Sequence, residues 1–142
     1  MIRPARDLDA GALGAILSDF VEVTDWMPRL HSRAKDISFA AKLIAGHSVF
    51  VWGVDRPLGF IALHQNSIDA LYVRNDQHGQ GYGSALIQYA HSIRDELELC
   101  TFQQNTPARR FYAKHGFSEV KFTDGSGNDD GLPDVCLNWR AH

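Results

Sequence analysis

The sequence is poor in cysteine and has no strong excess of charge of either sign. Only two of its 142 residues are cysteine, Cys100 and Cys136, which is too few for a disulfide framework and too widely spaced for a clustered zinc site. We therefore expect reduced thiols and a cytoplasmic protein. Lys and Arg number 14 against 17 Asp and Glu, so the charge predicts neither a nucleic-acid partner nor a membrane surface.

Long hydrophobic runs and linkers are also absent. The N-terminal residues include Arg3, Arg6, Asp7 and Asp9, and the longest apolar stretch is a few residues within 49–54. These features predict neither a signal peptide nor a membrane-spanning helix. Because the sequence shows no repeat and its length suits one core, we expect a single domain over residues 1–142.

Hydrophobic periodicity predicts alternating helices and strands. An apolar residue every three or four positions is typical of an amphipathic helix, and runs of β-branched and aromatic residues are typical of strands. The first half is predicted to contain a short strand near Ile2, helices at about 8–20 and 34–45, and strands at 48–54, 58–64 and 68–73. A glycine-rich loop at 74–83, a helix from Tyr82 and a strand at 97–103 follow. A short helix with Thr106 as N-cap and Pro107 as its first residue then precedes strands at 117–122 and 135–139, which an acidic loop separates.

Three glycines lie between a predicted strand and a predicted helix. Their backbone N–H groups, with the helix N-terminus, suit a phosphate. A helix dipole alone contributes about 0.3–1 kcal/mol, so several amides are needed to hold a diphosphate. A Walker A loop is excluded because no lysine occurs between Lys42 and Lys114, and a Rossmann loop requires its third glycine where Ser84 stands. A tight turn without a ligand remains the alternative for Gly79, Gly81 and Gly83.

Two motifs resemble signatures of the GNAT superfamily of N-acetyltransferases. The segment from His78 to Leu86 is similar to its acyl-CoA loop, Q/R-x-x-G-x-G/A, and the segment from Asn105 to Phe117 is similar to its second signature, N-x-x-A-x-x-F-Y-x-x-x-G-F. The order of predicted elements also resembles that fold over essentially the whole chain. The resemblance implies a GNAT-like α/β domain whose mixed, mostly antiparallel sheet is flanked by helices, with acetyl-CoA as co-substrate.

The resemblance also implies a set of cofactor-binding residues. The amides of the glycine loop hold the diphosphate of coenzyme A, the backbone of Leu71 and Val73 pairs with the pantetheine arm, and Asn105 bonds the arm further along. His78 departs from the usual Gln or Arg. The cofactor-binding set is Leu71, Tyr72, Val73, His78, Gly79, Gln80, Gly81, Tyr82, Gly83, Ser84 and Asn105.

Tyr112 is the catalytic residue that the resemblance implies, because it faces the thioester sulfur and donates a proton or hydrogen bond to it. A backbone N–H near Val73 is the implied oxyanion donor. The resemblance does not assign a general base, since Cys100 stands where some members of the superfamily carry Glu. The candidates for this base are Glu22, Asp25, His31, His64 and Asp69.

Several aromatic residues are predicted to pack in the core instead. Packing is the first interpretation for Tyr72, Tyr82 and Tyr89, for Phe111 with Ala108 and His115, and for Trp52 and Trp139. Trp26 precedes Pro28 between two helices, where it can line a substrate pocket with Glu22 and Asp25. Further acids, Asp19 near Glu22 and Asp124, Asp129, Asp130 and Asp134 in the last loop, either form a solvated surface or converge to favour a cationic acceptor.

We therefore expect an enzyme that transfers acetyl from acetyl-CoA to a primary amine, with a small cationic molecule as the first candidate acceptor, in a ternary complex. Two alternatives remain open. One is a catalytically silent acyl-CoA-binding module, which the missing base favours and Tyr112 disfavours. The other is an acetyltransferase acting on a protein amine; a tRNA acceptor is disfavoured because no basic patch is visible. A homodimer is compatible with this expectation, and no metal is expected.

Overall fold

A seven-stranded sheet forms the centre of the computed structural model, which describes all 142 residues. The strands are β1 (Ile2–Pro4), β2 (Ser48–Trp52), β3 (Gly59–His64), β4 (Ser67–Val73), β5 (Glu96–Phe102), β6 (Ser118–Phe122) and β7 (Asp134–Arg140). Their order in the sheet is β1-β2-β3-β4-β5-β7-β6. Every neighbouring pair is antiparallel except β4 and β5, which are parallel.

Helices cover both faces of this sheet. They are α1 (Ala10–Val23), α2 (Arg33–Gly46), α3 (Tyr82–Ile93) and α4 (Thr106–Lys114). On one face, α1 and α2 bury Leu13, Ile16, Ala40 and Leu43 against β2 to β4. On the other face, α3 and α4 pack on β3, β4, β5 and β7. The predicted α/β fold with a mixed, mostly antiparallel sheet is therefore confirmed.

The predicted core aromatics also pack as expected. Tyr89 contacts Phe50 at 4.8 Å between ring centroids, and Tyr82 stacks on Trp52 at 5.2 Å. Trp139 is partly buried against the core of α3 and α4. No helix combines the length and apolar composition needed to cross a membrane.

Two helix starts differ from the sequence prediction. Leu8 is 94% exposed and belongs to a 3₁₀ turn over Asp7–Asp9, so α1 begins at Ala10. The N-cap of α4 is Asn105 and not Thr106, because the Asn105 carboxamide oxygen accepts the N–H of Ala108 at 3.2 Å. Asn and Thr both cap helices well, so composition alone did not distinguish these adjacent residues.

The prediction of reduced thiols is wrong for this structure. Cys100 and Cys136 are joined by a disulfide. They lie 36 positions apart in the chain, but the register of β5 and β7 places them directly opposite each other. Directly opposed antiparallel residues have neighbouring side chains, a proximity that sequence spacing does not reveal.

Candidate functional site

The parallel strands β4 and β5 separate almost as soon as they begin. Their only register pair is Ser67 with Glu98, at the start of β4. Beyond it the β5-facing edge of β4 is unpaired, and a cavity of about 840 Å³ opens at the carboxyl ends of the two strands. The cavity is bordered by α1, the segment after it, β4, the glycine loop with the start of α3, and α4.

The free edge of β4 presents backbone groups to this cavity. The N–H of Arg74 donates to the carbonyl of Leu58 at 2.8 Å. Successive residues of an antiparallel strand direct their backbone N–H and C=O groups alternately toward and away from the neighbouring strand. Since Arg74 points toward β3, Leu71 and Val73 direct these groups away from it. The carbonyl of Val73 already accepts a hydrogen bond from His78 Nε2 at 3.0 Å. An extended ligand lying along β4 therefore meets the free N–H of Val73 and both backbone groups of Leu71.

The glycine loop presents a row of free amides. None of the backbone N–H groups from Gly79 to Ser84 donates a hydrogen bond within the chain. Gly79 and Gly81 have φ of +83° and +82°, a conformation that favours glycine, and a Cβ placed on either residue would have no atom within 4 Å. Free amides at a helix N-terminus bind anions, so the loop fits a diphosphate.

Side chains around the loop support its shape. The His78 imidazole is turned back onto the Val73 carbonyl, so it closes the turn between β4 and the glycine loop. Ser84 Oγ lies 3.0 Å from His115 Nε2, which links the start of α3 to the end of α4. Lys114 lines the cavity on the α4 side and makes no ion pair.

Asn105 has one free bonding group on the cavity wall. Its carboxamide oxygen caps α4, whereas its Nδ2 donates to no group in the chain. The expected hydrogen bond from Asn105 to a ligand therefore has a donor available, and that role stays a prediction.

Tyr112 is buried and its hydroxyl has no partner. The residue is 7% exposed and lines the cavity, and its ring packs against Phe111 and Phe117. Burial raises the pKa of Tyr112 well above its usual range, and the nearby Tyr72 raises it further. The hydroxyl therefore stays protonated at neutral pH and is available as a donor.

The acceptor-side residues predicted from sequence lie in two places. Trp26 and Asp25 line the cavity, and the Trp26 ring contacts Phe102 of β5 edge-on at 5.7 Å. Glu22 lies outside the cavity, 3.7 Å from Arg33 Nη1. Arg33 also contacts Asp19 at 3.0 Å, so both acids share one guanidinium.

Two of the predicted base candidates lie at the wrong end of the sheet. Asp69 contacts His47 at 2.7 Å, and the ring of His64 lies 5.3 Å from that of His47. Both residues lie where β3 ends and β4 begins, opposite the cavity end of β4. Cys100, at the position where some members of the resembled superfamily carry Glu, is in the disulfide.

Sequence reasoning did not single out Asp130. It is half-buried in the loop between β6 and β7, and its charge raises the pKa of Tyr72, which burial has already raised. Tyr72 packs edge-on against Phe20 at 5.2 Å and lines the cavity. Asp130 does not line the cavity, and its neighbour Asp129 is exposed. Nothing in the sequence separates the two acids.

The cavity thus combines three chemical capacities. The segment from Gly79 to Ser84 offers free amides to an anion, the free edge of β4 offers backbone groups to an extended chain, and the Tyr112 hydroxyl is a donor on the same cavity wall.

Comparison with protein families matches residues 45–119 to the acetyltransferase (GNAT) domain. Peptidyl-lysine N-acetyltransferase YjaB of Salmonella typhimurium is 40% identical over 91 residues, which are 63% of this chain and 61% of the relative. Peptidyl-lysine N-acetyltransferase YiaC of Escherichia coli is 31% identical over 141 residues, covering 94% of each chain. The matched region thus spans less than two thirds of YjaB.

Solved structures show the same fold. The solution structure of apo YjaB from Escherichia coli has a TM-score of 0.81 at 26% identity and covers 100% of this chain and 98% of its own. The structure of yncA from Salmonella typhimurium, with its cofactor acetyl-CoA, has a TM-score of 0.75 at 18% identity and covers 100% of this chain and 94% of its own.

Proposed function

Since the chain belongs to the GNAT family of acetyltransferases, we propose that it transfers the acetyl group of acetyl-CoA to the side-chain amine of a peptidyl lysine. One observation carries the proposal: five residues with free amides and the unpartnered hydroxyl of the buried Tyr112 border the same cavity, where β4 and β5 separate. Acetyl-CoA, when bound, supplies a thioester that an amine can attack.

Each part of the cavity has a role in this proposal. The amides from Gly79 to Ser84 hold the diphosphate of the coenzyme, and Leu71 with the N–H of Val73 orients its extended arm. The Val73 carbonyl is left to His78. The free Nδ2 of Asn105 donates to the arm from the opposite side.

Tyr112 donates to the sulfur in this proposal. A thiol has a pKa of about 8.5 and a tyrosine about 10, so complete proton transfer to the thiolate is uphill by roughly 2 kcal/mol even before burial is considered. Because burial raises the pKa of Tyr112 further, the hydroxyl stabilises the developing thiolate chiefly as a hydrogen-bond donor.

A lysine amine suits the acceptor side of the cavity. Asp25 is a carboxylate on the wall that makes no ion pair, and Trp26 offers an aromatic face to an alkyl stem or a cation. The relatives YjaB and YiaC are both named as peptidyl-lysine N-acetyltransferases. A small cationic amine, the first expectation from sequence, uses the same features and is the second candidate.

An acceptor panel tests the proposal. We would measure thiol release from acetyl-CoA and the mass of the acceptor, using a lysine peptide with a blocked N-terminus, the same peptide with Lys replaced by Gln, and a small diamine. The expected result is a mass gain of one acetyl group on the lysine peptide alone. Faster transfer to the diamine would favour the small-molecule acceptor, and binding of acetyl-CoA without transfer to any amine would favour a silent binding module.

A further inference from the structure

The walls of the cavity carry one carboxylate and one lysine. Among the residues that line it, Asp25 is the only Asp or Glu and Lys114 is the only Lys or Arg. Neither of them makes an ion pair, whereas Asp19 and Glu22, which lie outside the cavity, share the guanidinium of Arg33. An unpaired charge on a cavity wall is available to a ligand group of opposite sign.

The two charges lie on opposite faces of the sheet. Asp25 follows α1, which packs on one face, whereas Lys114 is the last residue of α4, which packs on the other. The glycine loop leads into α3, on the same face as Lys114. The cavity therefore runs through the opening between β4 and β5. Its α4 side offers a cation and free amides to an anionic coenzyme, and its α1 side offers a carboxylate to a cationic acceptor.

Asp25 lies in a short turn at the end of α1. Thr24 Oγ1 donates to the Phe20 carbonyl at 2.6 Å, which anchors the turn to the last residues of the helix. The N–H of Met27 donates to the Thr24 carbonyl at 3.0 Å, so Asp25 and Trp26 are the two central residues. The backbone that carries Asp25 is thus fixed, while its side chain is exposed. A carboxylate on a fixed backbone binds a ligand without first ordering a loop.

The same turn spans the gap between β4 and β5. Phe20 packs edge-on against Tyr72 of β4 at 5.2 Å, and Trp26 packs edge-on against Phe102 of β5 at 5.7 Å. Phe20 and Trp26 both line the cavity together with Asp25. Because Asp25 lines the cavity and is also exposed, it lies at the mouth, next to an aromatic ring that can cover the stem of a long cationic side chain.

This position at the mouth differs from that of the group proposed to act on the sulfur. Tyr112 lines the same cavity from α4 and is only 7% exposed. A carboxylate beside an ammonium favours the charged form of that group, and a charged amine has no lone pair with which to attack a thioester. A cation that stays on Asp25 is therefore not the amine that reacts.

We propose that Asp25 pairs with a second cation of the acceptor, a basic side chain that flanks the reacting lysine; this inference rests on the proposed function. The flanking side chain lies along Trp26 with its charge on the carboxylate, and the reacting lysine extends inward toward Tyr112. No proton passes to Asp25 in this arrangement. Asp25 therefore lowers KM for acceptors with a basic neighbour and leaves kcat unchanged.

Three peptides with blocked ends test this pairing. Each contains one lysine, flanked on both sides by arginine, by glutamine or by glutamate, because a guanidinium supplies charge without a second amine. With the wild-type protein, KM should be about fivefold lower for the arginine peptide than for the glutamine peptide, as for an exposed ion pair. The glutamate peptide should have the highest KM, and kcat should be nearly equal for all three. Added salt should reduce the differences in KM, since exposed charges are screened.

Substitutions of Asp25 should change this order. Asp25→Asn should remove the advantage of the arginine peptide, Asp25→Lys should give the glutamate peptide the lowest KM, and Asp25→Glu should keep the wild-type order. Asp95→Asn is the matched control. Asp95 is exposed and lies just before β5, at the opposite end of the sheet from the cavity, so this variant loses the same charge and should keep the wild-type preference.

The outcomes separate the role of Asp25 from a structural one. Affinity for acetyl-CoA and the unfolding midpoint should be unchanged in Asp25→Asn. Equal KM for the three peptides in the wild-type protein, or an arginine advantage that persists in Asp25→Asn, would overturn the proposal. A lower kcat of Asp25→Asn on all three peptides would also overturn it, because Asp25 would then act on the reacting amine.

A wild-type protein that acetylates none of the peptides would contradict the proposed function instead. Calorimetry with the protein saturated with coenzyme A then tests Asp25 without any transfer. The arginine peptide should still bind most tightly and should lose that advantage in Asp25→Asn, and equal affinities in the wild-type protein would overturn the pairing.

Discussion

At the scale of single residues, Tyr112 and His91 each carry a polar atom without a partner in the chain. The hydroxyl of Tyr112 opens onto the cavity. Nε2 of His91 is enclosed by the core. The difference in surroundings separates their roles: a donor at a cavity wall is available to a ligand, whereas an enclosed one only lowers the stability of the fold.

Tyr112→Phe removes the hydroxyl and leaves the ring in its packing against Phe111 and Phe117. Turnover should fall by about 10- to 1,000-fold, at or below the usual effect of a general acid because a thiolate leaves readily. Affinity for acetyl-CoA should hardly change, since the amides that hold the diphosphate are untouched. Single-turnover kinetics and calorimetry measure the two quantities, and full turnover in a folded variant would remove Tyr112 from the mechanism.

His91 makes stability depend on pH. Its ring stacks on Trp139 at 3.8 Å, burial lowers its pKa, and His115 lowers it further. The unfolded chain therefore binds a proton at higher pH than the folded chain does. Stability should be full above the unfolded pKa of about 6.5 and decline as the pH falls below it.

His91→Phe should raise the free energy of unfolding at pH 5.5 more than at pH 8, because it keeps an aromatic ring on Trp139 and removes the titrating group. Denaturant unfolding at the two pH values measures this difference. His142→Gln, at the exposed C-terminus, is the matched control and should show no such difference. A gain of equal size at both pH values would mean that packing alone changed. A residual pH dependence should remain, since burial also lowers the pKa of His115.

At the scale of elements, the junction of β4 and α3 determines where an anion binds. The junction contains three glycines, but they are not equivalent. Gly81 has φ of +82° and faces open space, whereas a Cβ on Gly83 would lie 3.5 Å from Phe111, in ordinary contact on the side of α4. Substitutions at these two positions therefore act on different surfaces.

Gly81→Val should weaken acetyl-CoA binding more than it lowers stability, because its side chain would stand where the diphosphate is expected. The left-handed backbone adds a cost of about 1–2 kcal/mol to folding. Gly83→Ala keeps its amide and directs its methyl group toward Phe111, so it should bind the coenzyme nearly as wild type does. Calorimetry on both variants decides the matter, and unchanged affinity in folded Gly81→Val would disprove the loop assignment.

Local sequence patterns predicted the helices and strands. The features that were not predicted depend on contacts between residues distant in sequence. Periodicity located α1 to α4 and most strand ends within two or three residues because each depends on neighbours in sequence. The separation of β4 from β5 depends on the register of a single pair, Ser67 with Glu98, and no local signal encodes it. The difference in burial between Asp129 and Asp130 likewise has no local signal in the sequence.

At the scale of the whole molecule, the disulfide is the one covalent link between distant parts of the chain. It joins positions 36 residues apart. The chain-entropy account of such a cross-link gives a stabilisation of about 4 kcal/mol for a loop of this size. Cys100 is exposed, so a reductant in solution can reach the bond without unfolding the sheet.

Reduction should therefore lower the free energy of unfolding by about 4 kcal/mol. Denaturant unfolding with and without a thiol reductant measures this change. The double variant Cys100→Ser with Cys136→Ser should unfold like the reduced protein and respond to no reductant. Two titratable thiols in protein purified without reductant would contradict the disulfide.

The disulfide also determines the outcome of a single proteolytic cut in this protein. The ring that it closes contains α4, β6 and the whole loop that carries Asp130. A protease that cuts once in the exposed part of that loop makes two polypeptides that remain a single molecule, with unchanged mass apart from one added water. Such a nicked protein migrates as one band without reductant and as two bands with it.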